Sequence, residues 1–314
     1  MRILVDAMGG DNAPDAIVEG AVRAANDFGV DIIFLGNIDV EGFKVIRTTD
    51  DISCNEEPVA AVKSKKDSSI VKGLTMLKNG EGDAFVSAGS TGALMAGATL
   101  YVKRIKGVKR MALSVVMPIE GKCVMLIDGG ANVDCKPEYL VQFGIMGSTY
   151  LEQVFGIENP RVGLLNIGTE EAKGDELSKD AHRLLNKTSL NFIGNVEARE
   201  ALSGNVDVIV SDGFAGNILL KGIEGALIFM NKNLKKVFKK GAFSKLAAIM
   251  VKGGLKEMKK TVSFEGVGGA PLLGADGTVI KAHGNSDANA IYYAIKQAID
   301  FAKTTANEKI RELV

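Results

Sequence analysis

Short runs of β-branched and other apolar residues alternate along this chain with longer stretches in which apolar positions recur every three to four residues. The short runs predict strands at 2–6, 31–35, 43–48, 83–87, 111–117, 122–127, 161–166, 190–194, 206–211 and 278–282. The longer ones predict helices near 14–28, 68–79, 91–104, 137–155, 175–187, 216–238, 244–259 and 286–304. Such alternation is the signature of βαβ units laid on a mostly parallel sheet. No internal repeat stands out and no Pro/Ser-rich linker divides the chain. The expected fold is therefore α/β: one α/β/α sandwich with a mostly parallel sheet over residues 1–314, carrying an inserted helical segment at 227–260.

Strand after strand ends in a small polar cluster with glycine: Asp6-Ala-Met-Gly-Gly-Asp11, Ser87-Ala-Gly-Ser-Thr-Gly92, Asp128-Gly-Gly-Ala-Asn132, Asn166-Ile-Gly-Thr169, Ser211-Asp-Gly-Phe-Ala-Gly-Asn217 and Lys281-Ala-His-Gly284. In an open parallel sheet all carboxyl ends face one edge, and ligands bind in the crevice there. The six clusters are thus expected to converge on one cleft.

The cluster at 87–92 leads straight into a helix. Ser90 or Thr91 can cap it, and Gly92 lets an anion approach free backbone N–H groups at the positive helix end, so phosphate is the natural tenant. An ordinary capped βα turn would look the same. The cluster lacks the spacing of a nucleotide-triphosphatase loop, and no Gly-x-Gly-x-x-Gly follows strand 2–6. Around Gly9 and Gly10, Asp6 and Asp11 could orient a cation, a basic side chain or a hydroxyl. Asp11 is expected to cap the helix near Pro14, which leaves Asp6 for function. Asn132 and Asp134 can offer hydrogen bonds to a substrate. Cys135, with no base nearby in sequence, is expected to be inert. Asn166, Thr169 and Lys173 form a turn with a lysine in reach of an anion, and Asp212 and Asn217 flank another, with Lys221 one helical turn beyond. Lys281 ends an apolar strand two residues before His283 and needs a partner there. Of the two histidines, His283 sits between a strand and a helix that Ser286 can cap, whereas His182 lies in an amphipathic surface helix and is expected to be structural.

Charge changes the picture at residues 227–260. Lys+Arg and Asp+Glu balance at 38 each and Trp is absent, which removes a basic or base-stacking surface for nucleic acid. Residues 227–260, however, hold ten lysines (232, 235, 236, 239, 240, 245, 252, 256, 259 and 260) against one acid, Glu257. Leu227, Met230, Leu234, Val237 and Phe238, then Leu246, Ile249, Met250 and Val251, recur at helical spacing. A basic amphipathic segment suits an anionic membrane surface or an acidic protein. The early acid at Asp6 argues against a signal peptide, and no run approaches the ~20 apolar residues of a membrane span. Cys54, Cys123 and Cys135 suggest neither disulfides nor zinc, so a reducing, cytoplasmic setting is expected.

Asp6-Ala-Met-Gly-Gly-Asp-Asn-Ala-Pro14, Glu57-Pro-Val59, Lys66-Asp-Ser-Ser69, Ser87-Ala-Gly-Ser-Thr-Gly-Ala-Leu-Met95, Gly130-Ala-Asn-Val-Asp-Cys-Lys-Pro137, Pro160-Arg-Val-Gly-Leu-Leu-Asn-Ile-Gly168, Phe192-Ile-Gly-Asn-Val-Glu197, Ser211-Asp-Gly-Phe214 and Ile280-Lys-Ala-His-Gly284, taken in order, closely resemble the bacterial phosphate acyltransferases of phospholipid synthesis. The chain departs at Asn12 and Tyr139, where family members commonly carry histidine, and at Ser90, where they commonly carry asparagine. The resemblance implies an isocitrate-dehydrogenase-like homodimer that needs no cofactor and no metal. It implies reversible transfer of a long-chain acyl group from acyl carrier protein to inorganic phosphate, for a membrane glycerol-phosphate acyltransferase. On that reading His283, Lys281, Lys221 and Asp6 are the candidate catalytic residues. Gly9, Gly10, Ser87, Ser90, Thr91, Gly92, Asn132, Asp134, Asn166, Thr169, Lys173, Asp212 and Asn217 would hold substrate, with Asn132 or Asn217 as oxyanion donor. A nicotinamide-dependent dehydrogenase of the related fold and a membrane-associated scaffold are the alternatives.

Overall fold

A computed structural model describes residues 1–119, 122–255 and 268–314. In chain order they form β1 (Arg2–Asp6), α1 (Asp15–Phe28), β2 (Asp31–Leu35), β3 (Lys44–Ile46), α2 (Pro58–Ser64), α3 (Ser69–Lys78), β4 (Ala84–Ser87) and α4 (Thr91–Gly97), which runs on as a π turn, Ala98–Val102. There follow β5 (Ala112–Ile119), β6 (Lys122–Ile127), α5 (Pro137–Phe155), β7 (Val162–Asn166), α6 (Glu176–Leu185), β8 (Phe192–Glu197), β9 (Val208–Val210), α7 (Gly213–Lys239) and α8 (Ala242–Met250). Then come β10 (Gly269–Leu273), β11 (Thr278–Ala282), α9 (Ala288–Ala302) and α10 (Ala306–Leu313).

The strands join in one sheet of order β3-β2-β1-β4-β11-β10-β5-β6-β9-β7-β8. Side chains alternate between its faces, as the period of a strand requires. Ile3 and Val5 enter the core under α1, α5 and α9, whereas Leu4 enters the core under α2, α3 and α4. A third cluster, with Met117, Leu126 and Ile209, lies under the start of α7. Helices thus cover both faces, as expected for an α/β/α sandwich.

Strand direction departs from the expectation. β1 to β4 and β11 run parallel, and so do β6 to β9 among themselves. Three antiparallel pairings, β11–β10, β10–β5 and β5–β6, join these blocks and leave them running in opposite senses. The six polar strand ends therefore cannot gather at the common edge of a parallel sheet. The strand that causes this, β10, escapes sequence reading because Pro271 and its glycines resemble a turn. Tertiary pairing overrides that propensity, and a Cβ on Gly269 would sit 2.4 Å from Ile280 Cγ2.

The inserted segment is partly described. Of α7 only Gly213, Gly216 and Leu220 are buried, and Ile228, Phe229, Met230, Val237, Phe243, Ile249 and Met250 are all exposed. Among the described side chains of this helix pair, no apolar stripe packs on the core beyond the first turns of α7. By length and composition alone α7 could cross a membrane, with a window of mean hydropathy 1.3 that is 17% buried, so the expectation of no such run is corrected on that count. The end of the predicted helix 244–259, with Lys256, Glu257 and Lys259, and Lys260 beyond it lie outside the described residues.

Candidate active site

The strand ends assemble as two groups. In the first, β1, β4 and β11 bring together Asp6, Gly9, Gly10, Ser87, Ser90, Thr91, Gly92, Lys281 and His283. Asp6 is buried. Its Oδ1 accepts from the Met8 and Gly9 amides at 3.1 Å, and its Oδ2 accepts from the Ser87 hydroxyl at 2.6 Å. Burial raises its pKa, which hydrogen bonds from Ser69, Ser87 and the two amides pull back down. The carboxylate is an anchor beneath the 7–10 loop, with its oxygens spent on protein donors. The loop lies so close to β4 that a Cβ on Gly9 would fall 2.5 Å from the Gly89 nitrogen. Gly10 has φ +107°, a conformation glycine alone adopts readily, which turns Asp11 so that its amide meets the Gly284 carbonyl at 2.7 Å. Asp11 therefore spans to the β11 loop and caps nothing: α1 begins after Pro14 with no side-chain cap.

Ser90, not Thr91, caps α4, its Oγ accepting from the Ala93 amide. The amides of Thr91 and Gly92 precede any intrahelical acceptor. Lys281 is buried at the end of β11. Its Nζ donates to the carbonyls of Ala88, at 3.3 Å, and Ala282. Among the described residues it has no carboxylate ion pair. Burial pushes its pKa down to about 8, against the upward pull of Cys54, Asp6 and Asp11. His283 is exposed beside it and accepts from the Asn285 amide through Nδ1. Asp287, not Ser286, caps α9. The Ser286 hydroxyl is instead buried without a hydrogen-bond partner among the described residues, a feature sequence alone could not reveal.

The second group belongs to β6, β7 and β9. Asp128, fully buried, accepts from the amides of Leu113, Gly130, Ala131 and Asn132 and from Asn132 Nδ2. Burial raises its pKa while those donors lower it. Asn132 Nδ2 also donates to the Met111 carbonyl at 2.7 Å. Both of its amide hydrogens are thereby committed, which removes Asn132 as an oxyanion donor. Asp212 caps α7, accepting from Phe214 and Ala215. The helix start is pressed against the 128–132 loop: a Cβ on Gly216 would lie 2.0 Å from the Asp128 carbonyl oxygen. Asn217, exposed, stands beside Gly130. Asn166 spends its side chain on Lys173 and Ile167, while Thr169 and Lys173 are exposed. Lys221 is exposed and paired with Glu224 at 2.7 Å, so it does not join Lys281. The Cys135 thiol is pushed up to about 12 by burial and by Asp128 and Asp212, which keeps it protonated near neutral pH. His182 is no surface residue. It is buried in α6, with its ring edge-on to Phe192 at 5.1 Å.

A cleft of about 480 Å³ lies between the loop of the second group and the later turns of α4. Val59 of α2 and Met95, Ala96, Thr99 and Leu100, along α4 and its π turn, line one side, and Ala131, Asn132 and Asp134 the other. Arg104 and Arg110 complete the wall. Sequence reading missed both arginines, because they stand in a connecting loop with no motif around them.

Residues 1–309 match the family model described as fatty acid synthesis protein. A phosphate acyltransferase of Clostridium acetobutylicum is 47% identical, the alignment covering 99% of this chain and 98% of that protein. Another, of Thermoanaerobacterium thermosaccharolyticum, is 48% identical over 95% of this chain and 92% of its own length. Among solved structures, a phosphotransacetylase from Streptococcus pyogenes superposes with TM-score 0.64 at 18% identity, covering 98% and 94% of the two chains. A branched-chain phosphotransacylase from Enterococcus faecalis gives 0.63 at 14% identity, over 97% of this chain and 100% of that one. A 4-hydroxythreonine-4-phosphate dehydrogenase from Klebsiella pneumoniae shares the fold at 0.52 and 12%, over 96% and 98%. At those identities the superpositions establish the fold, and the full-length sequence relatives establish the family. The chain belongs to the phosphate acyltransferases of the fatty acid synthesis protein family, and it is an acyltransferase that works with phosphate.

Proposed function

We propose that this enzyme moves a long-chain fatty acyl group from acyl carrier protein to inorganic phosphate, reversibly, giving acyl phosphate for phospholipid synthesis. The observation that carries the phosphate side of this reading is Lys281: a buried amine, held by two carbonyls and without a carboxylate partner among the described residues, beside the first turn of α4. A buried cation left this way favours an anion, and the Thr91 and Gly92 amides offer it further donors. Phosphate bound there would attack the thioester carbonyl directly. The phosphate oxygen–carbon bond forms, the carbon–sulfur bond breaks, and the carrier leaves as thiolate, which takes up a proton. His283, exposed at the rim, shares the phosphate proton. Asp6 positions the loop behind the anion. Positioning and electrostatic stabilisation would supply most of the acceleration.

The same reading sets the enzyme in the cytoplasm as a homodimer, touching the anionic leaflet through α7 and α8 and handing its product to the membrane glycerol-phosphate acyltransferase. The test is direct: purified protein, long-chain acyl carrier protein and phosphate should yield acyl phosphate without nucleotide, and no acyl-cysteine should accumulate when phosphate is left out. Absence of acyl phosphate in that mixture defeats the carrier-protein reading. An acyl adduct on Cys135 defeats direct attack.

A further inference from the structure

The loop that closes the cleft is charged in a way the mechanism does not use. Lys103-Arg-Ile-Lys-Gly-Val-Lys-Arg110 holds five cations and no acid, in a chain whose net charge is zero. All five are exposed. None of them takes part in an ion pair among the described residues.

The loop is also held firmly. Ile105 and Val108 are buried. The Ile105 amide donates to the Gly274 carbonyl at 2.9 Å, and Gln142 bridges to Gly107 and Lys109 from α5. Lys103 itself has φ 72° and ψ 171°, a backbone conformation that side chains rarely adopt and that tends to persist where function requires it. It follows directly on the π turn Ala98–Val102, another irregularity frequent at functional sites. Arg104 and Arg110 face the cleft, with Met95, Ala96 and Leu100 along one side of it.

We propose that residues 103–110 are the docking surface for an acidic carrier protein, which presents its acyl thioester to the cleft across Arg104 and Arg110. This rests on the carrier-dependent reaction above and adds where the carrier sits. Like charges fixed on a rigid loop steer and orient an oppositely charged protein, chiefly by raising the association rate. A lipid surface fits this loop poorly, since interfacial binding needs apolar side chains to insert and both of those here point inward. Placed at this rim, the carrier can extend its pantetheine arm along α4, which brings the thioester carbonyl toward the helix start where the phosphate donors lie.

The test uses the full-length enzyme with Lys106→Glu and Lys109→Glu together, neither residue lining the cleft. Association of a fluorescent acidic acyl carrier protein is titrated at low and physiological salt. Turnover is measured with acyl carrier protein and with the small acyl-pantetheine thioester, and thermal melting reports folding. Carrier affinity should weaken about tenfold or more at low salt, with a shallower salt dependence, while the small thioester reacts as in wild type. The Lys106→Arg and Lys109→Arg pair should restore binding. Unchanged carrier affinity overturns the proposal. So does an equal loss with both donors, which would make the loop part of the reaction centre, or weakened binding to anionic vesicles with carrier affinity intact. A wild type that binds carrier in this salt-dependent way yet makes no acyl phosphate would sink the proposed reaction and leave the docking surface standing.

Discussion

The Ser87 hydroxyl donates to Asp6 Oδ2 at 2.6 Å and accepts from the Gly89 amide at 3.1 Å, so one side chain ties the ends of β1 and β4 together. Replacing Asp6 with alanine strands the Met8 and Gly9 amides and the Ser87 hydroxyl beside a hole. Leaving buried donors unsatisfied costs about 1–3 kcal/mol each before relaxation, so Asp6→Ala should lose about 2–4 kcal/mol by urea unfolding. An unaltered midpoint would show that the loop does not depend on this anchor.

Lys281 makes the alkaline side of the profile informative. Its amine loses charge as pH rises through about 8, rather than through the ordinary 10.5. The apparent KM for phosphate should therefore climb above pH ~8, and Lys281→Arg, which stays charged, should move that break upward. Stability runs the other way. Between about 8 and 10.5 the unfolded chain holds the proton that the folded chain has released, so unfolding free energy rises with pH across that window. The cost of burying the charged amine is fully present below it. A phosphate KM flat from pH 7 to 10 would remove Lys281 from the anion site.

The two histidines separate chemistry from packing. His283→Ala should lower turnover by about 10²-fold with little change in melting temperature, as for a lost proton carrier at an exposed position. His182→Ala removes a buried ring packed on Phe192 and should cost about 1–3 kcal/mol of stability while leaving turnover per folded molecule intact. Equal turnover in the two variants would deny His283 its role.

The projecting helices can be judged by flotation. Changing Phe243, Ile249 and Met250 to serine should abolish co-flotation of the enzyme with anionic vesicles and spare soluble acyl phosphate synthesis, because interfacial helices need apolar insertion as well as lysine. Variants that float like wild type would show that α7 and α8 are not the membrane contact.

Much of this fold was readable from periodicity. The strands β1, β2, β4, β6 and β11 and the helices α1, α5 and α9 lie close to where the alternation of apolar runs places them. The reversal of half the sheet was not readable. It depends on β10, whose Pro271 and glycines carry no strand signal until β11 and β5 pair with it. Residue types marked Lys281, Ser90 and Asp6 as candidates, because each ends or follows an apolar strand, but joined them to all six strand-end clusters rather than to the three strands that bring them together. Roles were harder. Asn132 is of the right type for an oxyanion donor, but only the structure shows that Asp128 and the Met111 carbonyl consume both its hydrogens. Arg104 and Arg110 belong to no motif and become visible only as the wall of a cleft.

Gly216 bears on how relatives of this enzyme should be compared. A side chain there would have to share space with the Asp128 carbonyl, at 2.0 Å, so any descendant that keeps α7 seated on this loop must keep the hydrogen. An alignment column that never varies at Gly216 would then record a collision between two backbones, whatever substrate each descendant had come to use. Variation among homologues with different acyl donors is better sought at positions free to change, such as the side chains that line the cleft.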